Sequence, residues 1–261
     1  MPSKGEVNSI LCSQNLYGAV EFDRYGVRRT IKLDALANGM TMGNNGLLYL
    51  GDWSSIFVVD PSTGSVVDNV KGDGWDNIHT IRIFRDELLV ASTGDDRAYL
   101  GKKVIFDPRK NIDAKSFTYL NSAIPLDDSR VVIGMRNLRL VVIYDVDHDK
   151  IDASVRLPFL NNMHHVTPYY DELFLVSDGD GVVLFDLNGR PYIKSPGMNW
   201  PRGIAVVDRR NVYVVDRNTL YLWNPVANRI ERAWRSPLGI FKTMPVHNEQ
   251  VVAGAFFDVI A

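Results

Sequence analysis

Five polar side chains that can bind ligands stand at similar places in a repeating sequence pattern. They are Asn38, His79, Asn121, His164 and Arg202. Imidazole nitrogens bind divalent metals, and amide oxygens bind calcium. A metal site needs at least three ligands in close geometry, however, and an arginine repels a cation. The pattern therefore favours satisfied or solvated histidines and no cofactor, with a ligand or divalent cation such as calcium as the alternative.

A second set of side chains is rich in carboxylates and occupies predicted turns. It comprises Asp52, Asp95, Asp96, Asn137, Asp178, Asp180 and Asp216. Neighbouring carboxylates could act as acid and base or bind calcium. Short polar side chains also form hydrogen bonds to the backbone of tight turns. The aspartates and the asparagine of this set recur at the same place from repeat to repeat. This recurrence favours the structural interpretation.

Charge is segregated along the chain. Residues 187–242 contain ten basic and three acidic side chains, whereas the remainder contains 19 basic and 28 acidic ones. Arginine and tryptophan are enriched at binding hot spots, so this stretch is the predicted interaction surface, unless its aromatics simply pack between sheets. Its members are Arg209, Arg210, Arg217, Arg229, Arg232, Trp234 and Arg235. We expect a protein partner, or copies of the chain in a larger assembly. The net charge of −2 argues against nucleic acid.

Several functional classes lack their signatures. The sequence contains no Gly-x-Ser-x-Gly, phosphate-loop, His-Glu-x-x-His or Cys-x-x-Cys motif. Cys12 is the only cysteine, which excludes an internal disulfide framework. No apolar run approaches the roughly 20 residues of a membrane span, and no export signal is visible near the start. We therefore expect a cytoplasmic or virion location.

The strongest regularity is a short apolar run that ends in an acidic or amide residue. These end residues, here called markers, are Asp23, Asp60, Asp107, Asp145, Asp186 and Asn224, separated by 37, 47, 38, 41 and 38 residues. The runs are β-branched and aromatic, turn residues follow them, and further apolar segments flank them. Four antiparallel strands in about 40 residues are typical of one propeller blade.

The count of repeats predicts an all-β protein: a single six-bladed β-propeller domain over residues 1–261. The blades are expected at about 38–73, 76–118, 119–159, 162–198 and 200–238, with the last formed by 240–261 plus 9–34. Closing the last blade with both termini leaves no free edge in the ring. The segment from Phe241 to Phe257 is expected to supply its first two strands, although Ser9–Ser13 competes for the second place.

Two segments resemble known propeller repeats. Residues Pro201–Asp208 with Val212–Asp216, and Ile56–Gly64, are similar to the NHL and YVTN repeat classes. This resemblance covers nearly the whole chain and implies the fold, but not a chemistry. The sequence is also similar to gluconolactonase-like propellers, but it lacks the metal ligand that this similarity implies. No glutamate stands among the first-strand residues that are expected around the central channel.

Two functional hypotheses follow. The first is a non-catalytic scaffold for protein interaction, including a component of a phage or virus particle that acts in decoration, in a tail or in attachment. The second is a metal-dependent lactonase or lyase with its site at the channel mouth. In that enzyme His79 and His164 would bind the metal together with the loop aspartates.

Overall fold

The computed structural model describes residues 10–14, 18–23, 26–33, 37–217, 219–235 and 256–260. It contains six four-stranded antiparallel sheets arranged as the blades of a propeller, which confirms the predicted fold class. The one helix in the described part of the chain is α1 (Pro108–Asn111), a single turn. No helix in these residues is long and apolar enough to cross a membrane.

The strands follow one another in blade order along the chain. Three N-terminal strands belong to blade 6: β1 (Ile10–Gln14), β2 (Gly18–Asp23) and β3 (Gly26–Lys32). Blade 1 contains β4 (Met40–Met42), β5 (Leu48–Gly51), β6 (Ser55–Val59) and β7 (Val66–Lys71). Blade 2 contains β8 (Ile78–Phe84), β9 (Glu87–Ser92), β10 (Arg97–Leu100) and β11 (Lys103–Phe106). Blade 3 contains β12 (Leu120–Pro125), β13 (Arg130–Met135), β14 (Leu140–Asp145) and β15 (Lys150–Arg156).

The remaining strands complete the ring. Blade 4 contains β16 (Val166–Pro168), β17 (Leu173–Asp178), β18 (Gly181–Asp186) and β19 (Pro191–Lys194). Blade 5 contains β20 (Pro201–Val206), β21 (Val212–Asp216), β22 (Thr219–Asn224) and β23 (Arg229–Arg235). The last strand, β24 (Phe256–Ile260), joins blade 6. Each blade's first strand contacts the first strand of the next, in the closed order β4, β8, β12, β16, β20, β24 and back to β4.

Apolar side chains on both faces of the sheets form the core between blades. Every residue of the third strand β14 is buried, whereas the outer strand β15 is largely exposed. Between blades 2 and 3, the rings of Phe106 and Tyr144 meet edge to face with centroids 5.2 Å apart. The β-branched runs in the sequence therefore mark strands that are covered on both sides by neighbouring blades.

Blade 6 is assembled from both ends of the chain. Strand β24 takes the innermost place and pairs with β1, with Cys12 opposite Val259 and Leu11 opposite Ile260. Of the two candidates that the sequence leaves open for the second strand, Ile10–Gln14 therefore fills that place, and β24 from the C-terminal segment is the first strand. Phe241, where the C-terminal segment is expected to begin its first strand, lies outside the described residues.

One marker was assigned to the wrong strand. The run that ends at Asp107 forms the fourth strand of blade 2, β11, whereas the third strand, β10, ends at Leu100. Asp107 resembles the other markers because a turn follows it: its carboxylate accepts a hydrogen bond from Arg109 N at 3.0 Å at the start of α1. The displaced marker explains the long spacing of 47 residues.

We predict that deleting residues 256–261 destabilises the whole ring. The deletion removes the innermost strand of blade 6 and exposes the edge of β1. The free energy of unfolding should fall by several kcal/mol, at roughly 1 kcal/mol per backbone hydrogen bond lost. Urea unfolding measures this fall, and a full-length chain carrying a six-residue polar extension is the control. An unchanged midpoint and slope in the deletion variant would contradict closure by this strand.

Candidate functional site

Three of the predicted site residues lie in β-bulges at the start of innermost strands. The pairing ladders skip His79 in β8, Asn121 in β12, and Arg202 with its neighbour Gly203 in β20. A bulge gives one strand an extra residue and redirects its side chain. The sequence repeat therefore places the same backbone irregularity, with a polar residue in it, in blades 2, 3 and 5.

The other two residues occupy equivalent places just before short first strands. His164 N donates to the carbonyl of Ser177 at 3.0 Å, and Ser177 N donates to the carbonyl of His165 at 2.8 Å. Asn38 and Gly39 face Gly51 in the same way in blade 1, at 3.0 and 2.8 Å. All five predicted residues therefore start the inner strand of their blade, at one end of the channel.

In blades 4 and 5, an arginine, a histidine and a tryptophan meet directly. Arg202 Nη1 contacts the imidazole nitrogens of His164. The Arg202 guanidinium carbon also lies 3.7 Å from the centroid of the Trp200 ring, and Arg217 lies 5.4 Å from the same centroid. The indole of Trp200 therefore holds two guanidinium groups by cation–π contacts.

A similar group continues the site into blades 2 and 3. The rings of His79 and Tyr119 meet edge to face at 5.9 Å. Arg136 places its guanidinium carbon 4.7 Å from the centroid of Tyr119. Arg136 and Arg217 each follow the second strand of their blade, so both project from the same end of the propeller as the inner strand starts.

The two asparagines have structural hydrogen bonds. Asn38 Nδ2 donates to Asn77 Oδ1 at 3.4 Å, and Asn121 Nδ2 donates to the carbonyl of Met163 at 3.1 Å. These bonds link the start of each inner strand to a neighbouring segment. Asn121 is 1% exposed, and its Oδ1 has no hydrogen-bond partner among the described residues.

The electrostatics keep both histidines neutral. Burial, followed by the positive charges of Arg202 and Arg136, lowers the pKa of His79 to about 3. The same causes, with a contribution from His79, hold the pKa of His164 well below its usual value. Neutral imidazoles each offer one N–H donor and one acceptor at neutral pH.

Burial is also the main influence on the pKa of Arg202. It lowers the pKa of the Arg202 guanidinium, the Arg136 and Arg217 charges add to this effect, and Tyr119 and Asp216 oppose it. The residue is only 4% exposed. Arginine remains protonated in proteins. The fold therefore keeps a positive charge at a buried position, which is unfavourable in free energy.

Asp216 supplies a carboxylate next to these arginines. Burial raises its pKa to about 6, against a hydrogen bond from Asn199 N at 2.6 Å and the charges of Arg217 and Arg202. Near neutral pH this carboxylate is mostly ionised, and it becomes neutral as the pH falls below about 6.

Some of the loop aspartates of the sequence analysis bond to the backbone and others bond to side chains. Asp96 accepts hydrogen bonds from Thr118 N at 2.7 Å and Leu120 N at 2.9 Å, which connects blades 2 and 3. Asp178 accepts from Asn161 N at 2.9 Å. The backbone contacts of Asp96 and Asp178 fit the structural interpretation. Asp180 instead pairs with Lys194 at 2.6 Å, and Asp95 accepts a hydrogen bond from the Tyr99 hydroxyl.

The site has the wrong charge for a metal ion. Within the described ranges, no group of three or more His, Cys, Asp or Glu side chains is placed to hold one. The guanidinium groups of Arg136, Arg202 and Arg217 would repel a cation.

The predicted interaction surface is divided between three places. Arg217 lies at the channel mouth, and Trp234 packs against the apolar cluster between blades 5 and 6, with its ring centroid 6.3 Å from that of Tyr213. Arg209 and Arg210 occupy the opposite end of blade 5, where Arg209 pairs with Asp171 at 2.7 Å.

The third place is the outer strand β23. The side chains of Arg229, Arg232 and Arg235 are exposed along it. Arg229 Nε lies 2.8 Å from Glu231 Oε1. Of the seven predicted residues, Arg229 and Arg232 therefore share one face of β23, and Arg235 lies on the opposite face of the same strand.

Sequence reasoning missed Tyr119 and Arg136 as members of the channel mouth. Tyr119 directly precedes β12, and Arg136 directly follows β13. An alignment of the second strand ends would have placed Met135–Arg136 beside Asp216–Arg217, and this was the available signal.

Comparison with known proteins supports the fold. No protein-family model matches the sequence, and no curated protein sequence matches it. Among solved structures, a chain in a nidogen/laminin complex matches with a TM-score of 0.68 and 12% identity, covering 96% of this chain and 97% of that chain. A protein of unknown function from Bacteroides caccae matches with a TM-score of 0.70 and 10% identity, with the same coverage. At these identities the likeness concerns the β-propeller fold alone.

We predict that Asp216 makes stability depend on pH. Its pKa is higher in the folded chain than the ordinary value of 3.8. The stability that the neutral carboxyl contributes is therefore full below about pH 3.8 and is lost as the pH rises through about 6. Relative to Asp216→Asn, the wild-type free energy of unfolding should fall by roughly 1–3 kcal/mol between pH 4 and pH 7.

Urea unfolding of the two proteins across this pH range provides the measurement. The Asp128→Asn variant serves as the control for general effects of charge, because Asp128 is exposed in the turn between β12 and β13. A difference between wild type and Asp216→Asn that stays constant from pH 4 to pH 7 would contradict the elevated pKa.

Proposed function

We propose that this protein is a non-catalytic propeller, of the NHL/YVTN-like kind that its blade motifs resemble, and that it binds a protein partner. The observation that carries the proposal is the exposed row of Arg229, Arg232 and Arg235 on β23. Arginine is enriched at binding hot spots, and a rigid ring of packed blades can present such a row with little loss of entropy on binding.

The geometry of β23 supports this role. It is the outermost strand of blade 5, and Arg229, Arg232 and Arg235 stand opposite Asn224, Leu222 and Thr219 of β22. A register shift between Leu222 and Trp223 interrupts the regular alternation of the strand. Arg229 and Arg232 therefore share one face of the strand, Arg235 lies on the other face, and all three side chains are exposed.

The partner surface is expected to be acidic. Another copy of the chain could supply it, because the turns after β12 and β14 of blade 3 expose four aspartates. Asp128 is exposed there, beside Asp127, Asp147 and Asp149, which pair with Arg130, Arg85 and Lys110. Contacts between different surfaces of identical copies are head-to-tail, and they close into a ring when the rotation permits. The nidogen/laminin neighbour comes from a complex of proteins, which is consistent with a protein partner.

A more specific form of the proposal places the chain in a larger assembly, such as a phage or virus particle, where it would decorate a shell, belong to a tail or take part in attachment. The segregated charge supports assembly through head-to-tail contacts. The protein would then occur in the cytoplasm or in the particle. Mass spectrometry of purified particles from the source should detect it in fixed proportion to the shell protein, and its absence would end this form.

We predict that Arg229→Glu, Arg232→Glu and Arg235→Glu together abolish partner binding. Reversing three exposed charges creates repulsion with an acidic surface while leaving the buried face of blade 5 intact. Affinity for the partner that copurifies from the natural source should fall at least 100-fold, as measured by surface plasmon resonance. Self-association, measured by sedimentation velocity at low salt, should be lost if the partner is another copy.

The matched control reverses three exposed cations on blade 2, Lys102, Lys103 and Arg109. This control changes the net charge equally and should retain binding. Unchanged circular dichroism must accompany the loss of binding in the blade 5 variant. Equal loss in both variants, or binding that survives the blade 5 reversal, would show that β23 is not the interface.

A further inference from the structure

A pocket of about 440 Å³ lies between the connection from blade 2 to blade 3 (residues 107–119) and the outer strands of blade 3. It is lined by Ile112, Asp113, Ala114 and Lys115 from the connection and by Leu138, Leu140, Ser154 and Arg156 from blade 3. We propose that this pocket binds a medium-chain fatty carboxylate such as octanoate. The site uses none of the β23 residues, so it goes beyond the protein interaction proposed above.

Hydrogen bonds hold the connection in place on both sides of the pocket. Ile112 N and Ala114 N both donate to the carbonyl of Pro108, at 3.2 and 3.1 Å. Asn137 Nδ2 donates to the carbonyl of Phe117 at 3.0 Å, which ties the end of the connection to blade 3. The wall of the pocket is therefore ordered before a ligand arrives, and this reduces the entropic cost of binding.

The floor of the pocket is apolar. Leu140 is 8% exposed and belongs to the apolar cluster between blades 2 and 3. Ile112 and Leu138 are partly buried and pack against the same cluster. A hydrocarbon chain that covers these three side chains is removed from water together with them, which favours binding.

The rim carries one positive charge in excess. Asp113 and Lys115 are exposed and form an ion pair with each other. Arg156 donates from Nη1 to the carbonyl of Leu138 at 3.2 Å, and among the described residues it has no carboxylate partner. That bond uses one of the five guanidinium N–H groups. A single carboxylate balances the remaining charge and fits the planar guanidinium through paired hydrogen bonds.

Ser154 adds a second polar group beside the guanidinium. Ser154 and Arg156 stand two residues apart on β15, opposite Val142 and Leu140 of β14, so they share one face of the sheet. The Ser154 hydroxyl is exposed and can donate to the same carboxylate. The pocket therefore offers an apolar floor for a hydrocarbon chain and a cationic rim for its carboxylate, which is the pattern of an amphipathic monoanion.

Isothermal titration calorimetry of the full chain with sodium octanoate at neutral pH and constant ionic strength tests the proposal. We expect saturable binding of one octanoate per chain. Hexanoate is shorter by two methylene groups and should bind roughly tenfold more weakly, because less apolar surface is buried. Octanol has the same chain without the charge, and it should also bind roughly tenfold more weakly because it cannot form an ion pair with Arg156.

Replacing the guanidinium separates the two parts of the site. Arg156→Gln should weaken octanoate binding roughly tenfold and leave octanol binding unchanged. Arg156 is exposed on an outer strand, so this variant should fold normally, and circular dichroism checks that it does. The matched control is Arg139→Gln. Arg139 is exposed in the same blade and donates to the carbonyl of Pro158 at 3.1 Å, but it does not line the pocket.

The control variant removes the same charge and should bind octanoate as the wild type does. Absence of saturable octanoate binding in the wild type would overturn the proposal. Equal weakening by Arg139→Gln would also overturn it, because binding would then depend only on net charge. Octanol that binds as tightly as octanoate would contradict recognition of the carboxylate.

Two further titrations separate this site from other occupants and from β23. Tighter binding of N-acetyl-leucyl-glutamate than of octanoate would overturn the fatty carboxylate in favour of an acidic peptide. The triple reversal of Arg229, Arg232 and Arg235 lies in blade 5 and should leave octanoate binding unchanged. Failure of octanoate binding and failure of partner binding through β23 are therefore distinguishable.

Discussion

Closure of the ring by one backbone pairing, β24 with β1, is the constraint on which the rest of the structure depends. The innermost strands touch each other in a complete circle only when Phe256–Ile260 fills the gap between blades 5 and 1. His79 and Arg202 are far apart in the sequence. The ring brings them close enough for the charge of Arg202 to lower the pKa of His79. The channel mouth is therefore a property of the closed ring rather than of any blade.

The apolar packing between blades offsets the unfavourable free energy of burying charged groups at the channel mouth. Burying a single valine or leucine side chain contributes about 1.5–3 kcal/mol, and each pair of neighbouring blades buries several. That stabilisation allows the fold to keep Arg202 buried and to hold Asp216 partly desolvated. Bulges at the start of β8, β12 and β20 then place polar side chains at the channel mouth, outside the regular alternation of the ladder. The fold and the site therefore depend on different residues. The apolar strands make the ring rigid, and the irregular starts of the inner strands carry the polar side chains of the channel mouth.

The sequence predicted the repeat and the ring because buried strands require apolar residues in short runs, as in β14 and β18. It failed at Asp107, because an aspartate before a proline has the same composition whether it ends a third strand or caps a helical turn. The five predicted channel residues were found because blade alignment determines where an inner strand starts. The contacts of Arg136 with Tyr119 and of Arg202 with Trp200 were not predictable, because they depend on side-chain rotamers and on distances between blades. The division of the basic segment has a different cause: the single strand β21 separates Arg210 from Arg217 and places them at opposite ends of blade 5.

Native mass spectrometry of the protein purified from its natural source, without chelators, tests most directly the claim that this propeller is a binding platform rather than a metalloenzyme. One spectrum reports bound metal, self-association and copurifying proteins together. The account predicts a metal-free chain held in a complex with a protein partner or with further copies of itself. A monomer that carries one divalent cation per chain would contradict it.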